Sequence, residues 1–254
     1  MSNLESKVLI VTGAASGIGR AAARHFARSG ASVVLADLAD GGEAIAEEIR
    51  NDGGKSLFVK TNVAKEADVE NLVASAIETF GQLDGAFNNA GIEQAIKPLH
   101  ELDEAQWDKV INIDLKGVFL CMKHEIAAML ASGRGGAIVN TSSTTAMAAI
   151  PFASEYIAAK AGVLGMSRAA AVDYALKGIR VNAVMPGMTQ TAMTSRMPED
   201  PELIKIFTAI QAAVPMQRFG QADEIAQAAG WLLSDDASFV TGAALPVDGG
   251  TMAV

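Results

Sequence analysis

Thr12-Gly13-Ala14-Ala15-Ser16-Gly17-Ile18-Gly19 follows the apolar, β-branched run Lys7 to Thr12 directly and opens a segment patterned as a helix. Glycines at 13, 17 and 19 let the chain turn tightly, bring its backbone close to a ligand and let helix pack closely on strand. The unpaired N–H groups of the helix's first turn, with the positive end of its dipole, suit a pyrophosphate. The spacing is not that of a Walker loop, because Arg20 follows Gly19 and no Gly-Lys-Ser/Thr is present. A strand, a glycine turn and a helix in that order predict a dinucleotide-binding α/β fold.

Outward from this turn the same alternation repeats. Strands are predicted over Lys7 to Thr12, Ser32 to Asp37, Ser56 to Thr61, Leu83 to Asn88, Gly136 to Ser142, Ile179 to Met185 and Ala244 to Val247. Several are nearly continuous hydrophobic runs, as strands covered on both faces require. Between them, Val69, Leu72, Val73, Ala76, Ile77 and Phe80 form a helical stripe, and Gly30 and Gly81 close helices. The expectation is a single doubly wound Rossmann-type domain over residues 1–254 with a parallel, seven-stranded sheet. No linker, low-complexity tract or repeat divides it. One long irregular stretch after the sixth strand, residues 188–215, is read as a substrate lid, with an ordinary surface excursion as its alternative.

Composition narrows the function. A net charge of −9 disfavours nucleic acid or an anionic membrane as partner, and no apolar run has membrane-spanning length. The first residues lack a signal-peptide layout, so a soluble cytoplasmic protein is expected. Cys121 is the only cysteine and reads as a small buried hydrophobe. His124-Glu125 begins a zinc-protease pattern, but position 128 is Ala, so no protein-built metal site is expected. With no Gly-x-Ser-x-Gly elbow and no His beyond His124, a serine hydrolase is disfavoured.

Asp37 ends the second predicted strand and is followed by Leu38 and Ala39. A carboxylate there accepts bonds from both ribose hydroxyls and repels a 2′-phosphate, which predicts NAD over NADP. The alternative is that Asp37 caps a local turn. Of the two tyrosines, only Tyr156 has a lysine, Lys160, four residues on. Ser154 to Lys177 reads as a helix, which stacks the two on one face. A phenol of pKa about 10 is a poor base at neutral pH. An ammonium about 4 Å away, at an effective dielectric of about 20, favours the phenolate by about 4 kcal/mol. The pair can therefore serve as a general acid/base. Ser143 lies just past the fifth strand, on the ligand side, where a hydroxyl can hold a substrate oxygen. Ser142, Thr144 and Thr145 are neighbours that composition does not separate from it.

Together these elements resemble the short-chain dehydrogenase/reductase family from Lys7 to Thr251. The family's cofactor turn matches Thr12 to Gly19, and its Asn-Asn-Ala-Gly element matches Asn88-Asn89-Ala90-Gly91. Its catalytic Ser, Tyr and Lys fall on Ser143, Tyr156 and Lys160, the Asn-x-x-Ser context at Asn140 selecting Ser143. Its Pro-Gly element is Pro186-Gly187, followed by Thr189 and Thr191, and Asp248-Gly249-Gly250 resembles its closing turn.

The resemblance implies hydride transfer between NAD(H) and a secondary alcohol or ketone. The expected cofactor contacts are Gly13, Ser16, Gly17, Ile18, Gly19, Asp37, Leu38, Asn62, Val63, Asn89, Ala90 and Gly91, with Tyr156, Lys160, Pro186, Gly187, Thr189 and Thr191. It also implies a homotetramer built on the helices Asp114 to Leu130 and Ser154 to Lys177. Two positions depart from the family: Asn62 stands where an Asp usually meets the adenine, and Asp114 stands at the family's fourth catalytic position, an Asn. Asp114 keeps the backbone carbonyl that serves the family's lysine relay. The competing reading is a catalytically slow, NAD-binding regulator of the same fold. Glu93, Gln94, Thr144, Thr145, Phe152, Met188, Met193 and Met197 are candidate pocket residues, with an apolar substrate or a polyol both open.

Overall fold

Apolar runs such as Val8–Thr12 are buried at every position, because helices cover both faces of the sheet. The computed structural model describes residues 3–191 and 208–254. Among these, seven strands form one parallel sheet: β1 (Val8–Thr12), β2 (Ser32–Asp37), β3 (Lys55–Lys60), β4 (Gly85–Asn88), β5 (Gly136–Thr141), β6 (Ile179–Pro186) and the last strand, β9 (Ala244–Val247). Their order is β3-β2-β1-β4-β5-β6-β9, every pairing parallel. The winding reverses between β1 and β4, which opens the crevice in which such folds bind ligands. The minor strands β7 (Thr189–Gln190) and β8 (Gly220–Gln221) pair with each other.

One face carries α1 (Gly17–Arg28), α2 (Gly41–Asn51) and α7 (Ala222–Leu233), packed in a core with Leu9, Val33, Phe87 and Val139. The other carries α3 (Glu66–Phe80), α5 (Gly117–Ser132) and α6 (Ser154–Tyr174), over Ile10, Ala86, Ile138 and Val181. Short α4 (Glu104–Val110) leads into a π-helical turn, Ile111–Lys116. The expected helix from Asp114 thus begins as a regular α-helix only at Gly117, and the wider turn holds Asp114. Cys121 is buried, and burial pushes its thiol well above the ordinary range. The expected lid lies partly outside the described residues. Within it, Val214 packs against the turn at Gly249, and β7 ties Met188 to Gly220.

Candidate active site

The glycine turn is shaped by contacts that admit no side chain. A Cβ on Gly19 would stand 2.1 Å from the Gly13 carbonyl oxygen, and one on Gly13, at φ +67°, would meet Ala90 Cα at 2.9 Å. Thr12 joins this turn to the end of β4: its Oγ1 accepts from the Asn89 and Ala90 N–H groups at 3.0 Å each, and its carbonyl accepts from Asn89 Nδ2 at 3.2 Å. Thr191 reaches the same turn, where a Cβ on Gly17 would meet its side chain at 3.4 Å. Ser16 caps α1 with extended backbone and no side-chain capping bond, and no acidic residue occupies the first turn. That end of α1 fits an anion.

Asp37 bonds within its local turn, the alternative considered for it. Its Oδ2 accepts from Ala15 N–H and its Oδ1 from Ala39 N–H, each at 2.9 Å, so it stitches β2 to the glycine turn. Each oxygen keeps a second lone pair for a ribose hydroxyl. Leu38 beside it is 62% exposed, an apolar surface open to an adenine ring. Asn62 Oδ1 is engaged by its own turn, accepting from Ala64 N–H at 3.0 Å. Val63 turns its side chain into a small core cluster with Val69, Leu120 and Cys121, so only its backbone can face a ligand. The residues present fit a dinucleotide along this edge.

At the centre, Lys160 is buried. Its Nζ donates to the Thr141 carbonyl at the end of β5 at 3.2 Å, and lies 5.4 Å from the centroid of the Tyr156 ring. Asp114 Oδ2 is 3.2 Å from the same Nζ, an ion pair set off the line of a directed hydrogen bond, while Asp114 Oδ1 accepts from Ile92 N–H at 2.9 Å. Burial disfavours the ammonium, but the Asp114 carboxylate and then Tyr156 outweigh it, holding Lys160 above the ordinary lysine range. Burial pushes the Asp114 carboxyl up, against the pull of Lys160 and of Ile92 N–H.

The two serines separate. Ser142 Oγ donates into the core, to the Lys160 carbonyl at 2.8 Å. Ser143 Oγ accepts from Thr145 N–H at 3.2 Å and from Thr145 Oγ1 at 2.9 Å, which leaves its own proton to donate. Thr144 Oγ1 donates to the Pro186 carbonyl at 3.4 Å. Gly187 is required where it stands, since a Cβ there would strike Asp248 Cα at 2.8 Å. Thr189 Oγ1 donates to the Gly187 carbonyl at 2.9 Å. Met193 and Met197 lie outside the described residues.

Sequence reasoning passed over Glu155. Fully buried beside Tyr156, its Oε1 accepts from Ala95 N–H at 2.6 Å and pins the loop after β4 to the start of α6. A carboxylate in the first turn of a helix reads as a dipole partner, which masked this role. It also passed over a buried polar chain beneath the site. Asn88 Nδ2 donates to Glu125 Oε2 at 2.9 Å and to Asn140 Oδ1 at 3.0 Å, and Asn140 Nδ2 donates to Ser167 Oγ at 2.9 Å.

A family model described as Enoyl-(Acyl carrier protein) reductase matches residues 13–252. The chain is 47% identical over 248 residues to cis-4-hydroxycyclohexanecarboxylate dehydrogenase of Sinomonas cyclohexanicum, covering 98% of this chain and 97% of that one. It is 46% identical over 256 residues to 2,5-dichloro-2,5-cyclohexadiene-1,4-diol dehydrogenase of Sphingobium indicum, covering 100% of both. Among solved structures it superimposes on levodione reductase with a TM-score of 0.94 at 38% identity, covering 98% of this chain and 99% of that one. It superimposes on 3-ketoacyl-(acyl-carrier-protein) reductase from Brucella melitensis, complexed with NADH, with a TM-score of 0.89 at 34% identity and the same coverage. With a seven-stranded nucleotide-binding Rossmann sheet and dehydrogenases and reductases as full-length relatives, the chain belongs to the short-chain dehydrogenase/reductase family of oxidoreductases acting on alcohols and ketones.

Proposed function

We propose that the protein transfers a hydride between NAD(H) and a secondary alcohol or ketone carried on a carbon ring, with Tyr156 as the general acid/base. The observation that carries this reading is the buried Lys160 ammonium fixed between the end of β5 and the Tyr156 ring. The nicotinamide, when bound, accepts the hydride in oxidation and supplies it in reduction. Ser143 donates a hydrogen bond to the substrate oxygen, and the Thr145 contacts orient it for that task. Tyr156 Oη takes the hydroxyl proton in oxidation and returns it in reduction. Lys160 favours the phenolate through its charge, and the Thr141 carbonyl holds it in place.

The glycine turn with Ser16 and Ile18 would hold the pyrophosphate and Asp37 the adenosine ribose. Asn89, Ala90, Gly91, Pro186, Gly187, Thr189 and Thr191 would line the nicotinamide half. NAD preference is supported by Asp37 at the end of β2, where a carboxylate would accept from the ribose hydroxyls and repel a 2′-phosphate. The ring-bearing substrate is supported by the relatives named for a cyclohexadiene diol and a hydroxycyclohexanecarboxylate. It is supported too by exposed Ile96, Met147, Ile150 and Phe152 on the segments that follow β4 and β5, at the carboxyl end of the sheet.

We place the enzyme in the cytoplasm; no described helix is long and apolar enough to cross a membrane. A homotetramer is favoured by exposed Phe119 and Leu130 on α5, by exposed Val172 near the end of α6 and by exposed Leu176 in the 3-10 turn that follows it. The test is a panel of cyclic and open-chain secondary alcohols assayed with NAD and with NADP. Turnover of cyclic alcohols with a higher kcat/KM for NAD is expected. No hydride transfer to either cofactor refutes the enzymatic reading, and preference for NADP refutes the Asp37 assignment.

A further inference from the structure

Asp114 is wholly buried, yet it is a carboxylate, and its two oxygens do different things. Oδ1 accepts from Ile92 N–H at 2.9 Å, a bond an asparagine could accept equally well. Oδ2 has no partner but the Lys160 ammonium, 3.2 Å away. An uncompensated carboxylate at this depth is costly, and a buried pair persists only where its geometry offsets the loss of water. That geometry is prepared from three directions. The π-helical turn Ile111–Lys116 widens the helix where Asp114 projects, as such turns commonly do at functional sites. The Thr141 carbonyl fixes Lys160 from the sheet. Gly91 leaves the space above the pair bare, since a Cβ there would lie 2.9 Å from Asp114 Oδ2 and 3.2 Å from Lys160 Nζ.

We propose that Asp114 is a positioning residue whose carboxylate fixes the Lys160 ammonium and offsets part of the charge that Tyr156 senses. This rests on Tyr156 being the proton-transfer group. The charged groups around the pair are few. Lys160 meets Asp114 from the π turn and Tyr156 from its own helix. Glu155, next to Tyr156, accepts from Ala95 N–H through Oε1 while its buried Oε2 has no hydrogen-bond partner, and Lys116 and Glu93 are exposed. A lone ammonium would draw the phenol to ionise at lower pH, whereas a paired one draws it less. The same carboxylate keeps Lys160 protonated against burial. Removing the negative charge should therefore move both limits of activity downward. The acid limb falls because Tyr156 meets a bare ammonium, and the alkaline limb falls because Lys160 loses its proton more readily.

The experiment compares the pH dependence of kcat/KM for alcohol oxidation in the parent, Asp114→Asn, Asp114→Glu and Tyr156→Phe, each with its NAD affinity. Asp114→Asn is expected to stay active with its acid limb about one pH unit lower. Its alkaline limb should also be lower, its NAD affinity should change little, and Asp114→Glu should follow the parent. If Asp114→Asn does not fold, Asp114→Ser takes its place. An unchanged profile in the neutral variant, a shift to higher pH, or a uniform loss at every pH overturns the proposal. Turnover in Tyr156→Phe would instead overturn the reading of Tyr156 on which it rests.

Discussion

Glu125 lies on α5 against the ends of β4 and β5, fully buried, with Oε2 accepting from Asn88 Nδ2 and Oε1 without a partner. Burial pushes its carboxyl up to about 7 from 4.5, the Asn88 bond opposing only part of the shift. A carboxyl that holds its proton more tightly folded than unfolded loses stability as pH rises from the unfolded value through the folded one. At about 1.4 kcal/mol per unit the whole loss is about 3 kcal/mol, of which about 2 kcal/mol falls between pH of about 5.5 and about 8. Glu125→Gln keeps the shape and the acceptor for Asn88 but cannot ionise. Its unpaired amide adds an offset that does not depend on pH. The unfolding free energy of the variant minus that of the parent should therefore rise by about 2 kcal/mol over that range, or about 5 °C in Tm for a chain of this size. Urea or thermal unfolding of both proteins at the two pH values reads it directly. A difference that is flat with pH, or that shrinks as pH rises, refutes a neutral Glu125 in the folded protein.

Two further substitutions probe the cofactor edge. Asp37→Ser removes the negative charge on which the proposed NAD preference rests and replaces two acceptors for Ala15 and Ala39 N–H by one, so the ratio of kcat/KM for NAD over NADP should fall about tenfold or more. An unchanged ratio in steady-state kinetics would contradict that role. Gly19→Ala forces a methyl to 2.1 Å from the Gly13 carbonyl oxygen, so the turn must open, at a cost of about 1–3 kcal/mol and with NAD binding lost. Calorimetric titration showing parent-like affinity would contradict the packing argument.

Much of the fold is legible in the chain because strands buried on both faces read as apolar runs. Ser32–Asp37 and Ala244–Val247 form over the residues expected, four strands differ by one or two residues at one end, and Lys55–Lys60 is shifted by one residue at both. The glycine turn is legible because backbone crowding at Gly13 and Gly19 leaves no other residue type. The π-helical turn is not, since one extra residue in a helical turn leaves no mark in the hydrophobic period. The direct Asp114–Lys160 ion pair is not readable from spacing, because 46 positions separate two residues that only the tertiary fold joins, although the family resemblance already set Asp114 at the lysine relay. Glu125 sits beside His124 in sequence and reads as part of a failed metal pattern, whereas its partner Asn88 is across the core on β4. Ser142 and Ser143 cannot be told apart by composition. Alternation along β5 turns one into the core toward the Lys160 carbonyl and leaves the other at the cleft with Thr145.

The most direct test is the turnover number of Tyr156→Phe at saturating NAD with an alcohol that the parent oxidises. A phenyl ring keeps the packing beside Lys160 and removes only the oxygen that carries the proton. The account predicts a fall of about a hundredfold or more, with NAD affinity close to that of the parent. A variant turning over within a few-fold of the parent would contradict it.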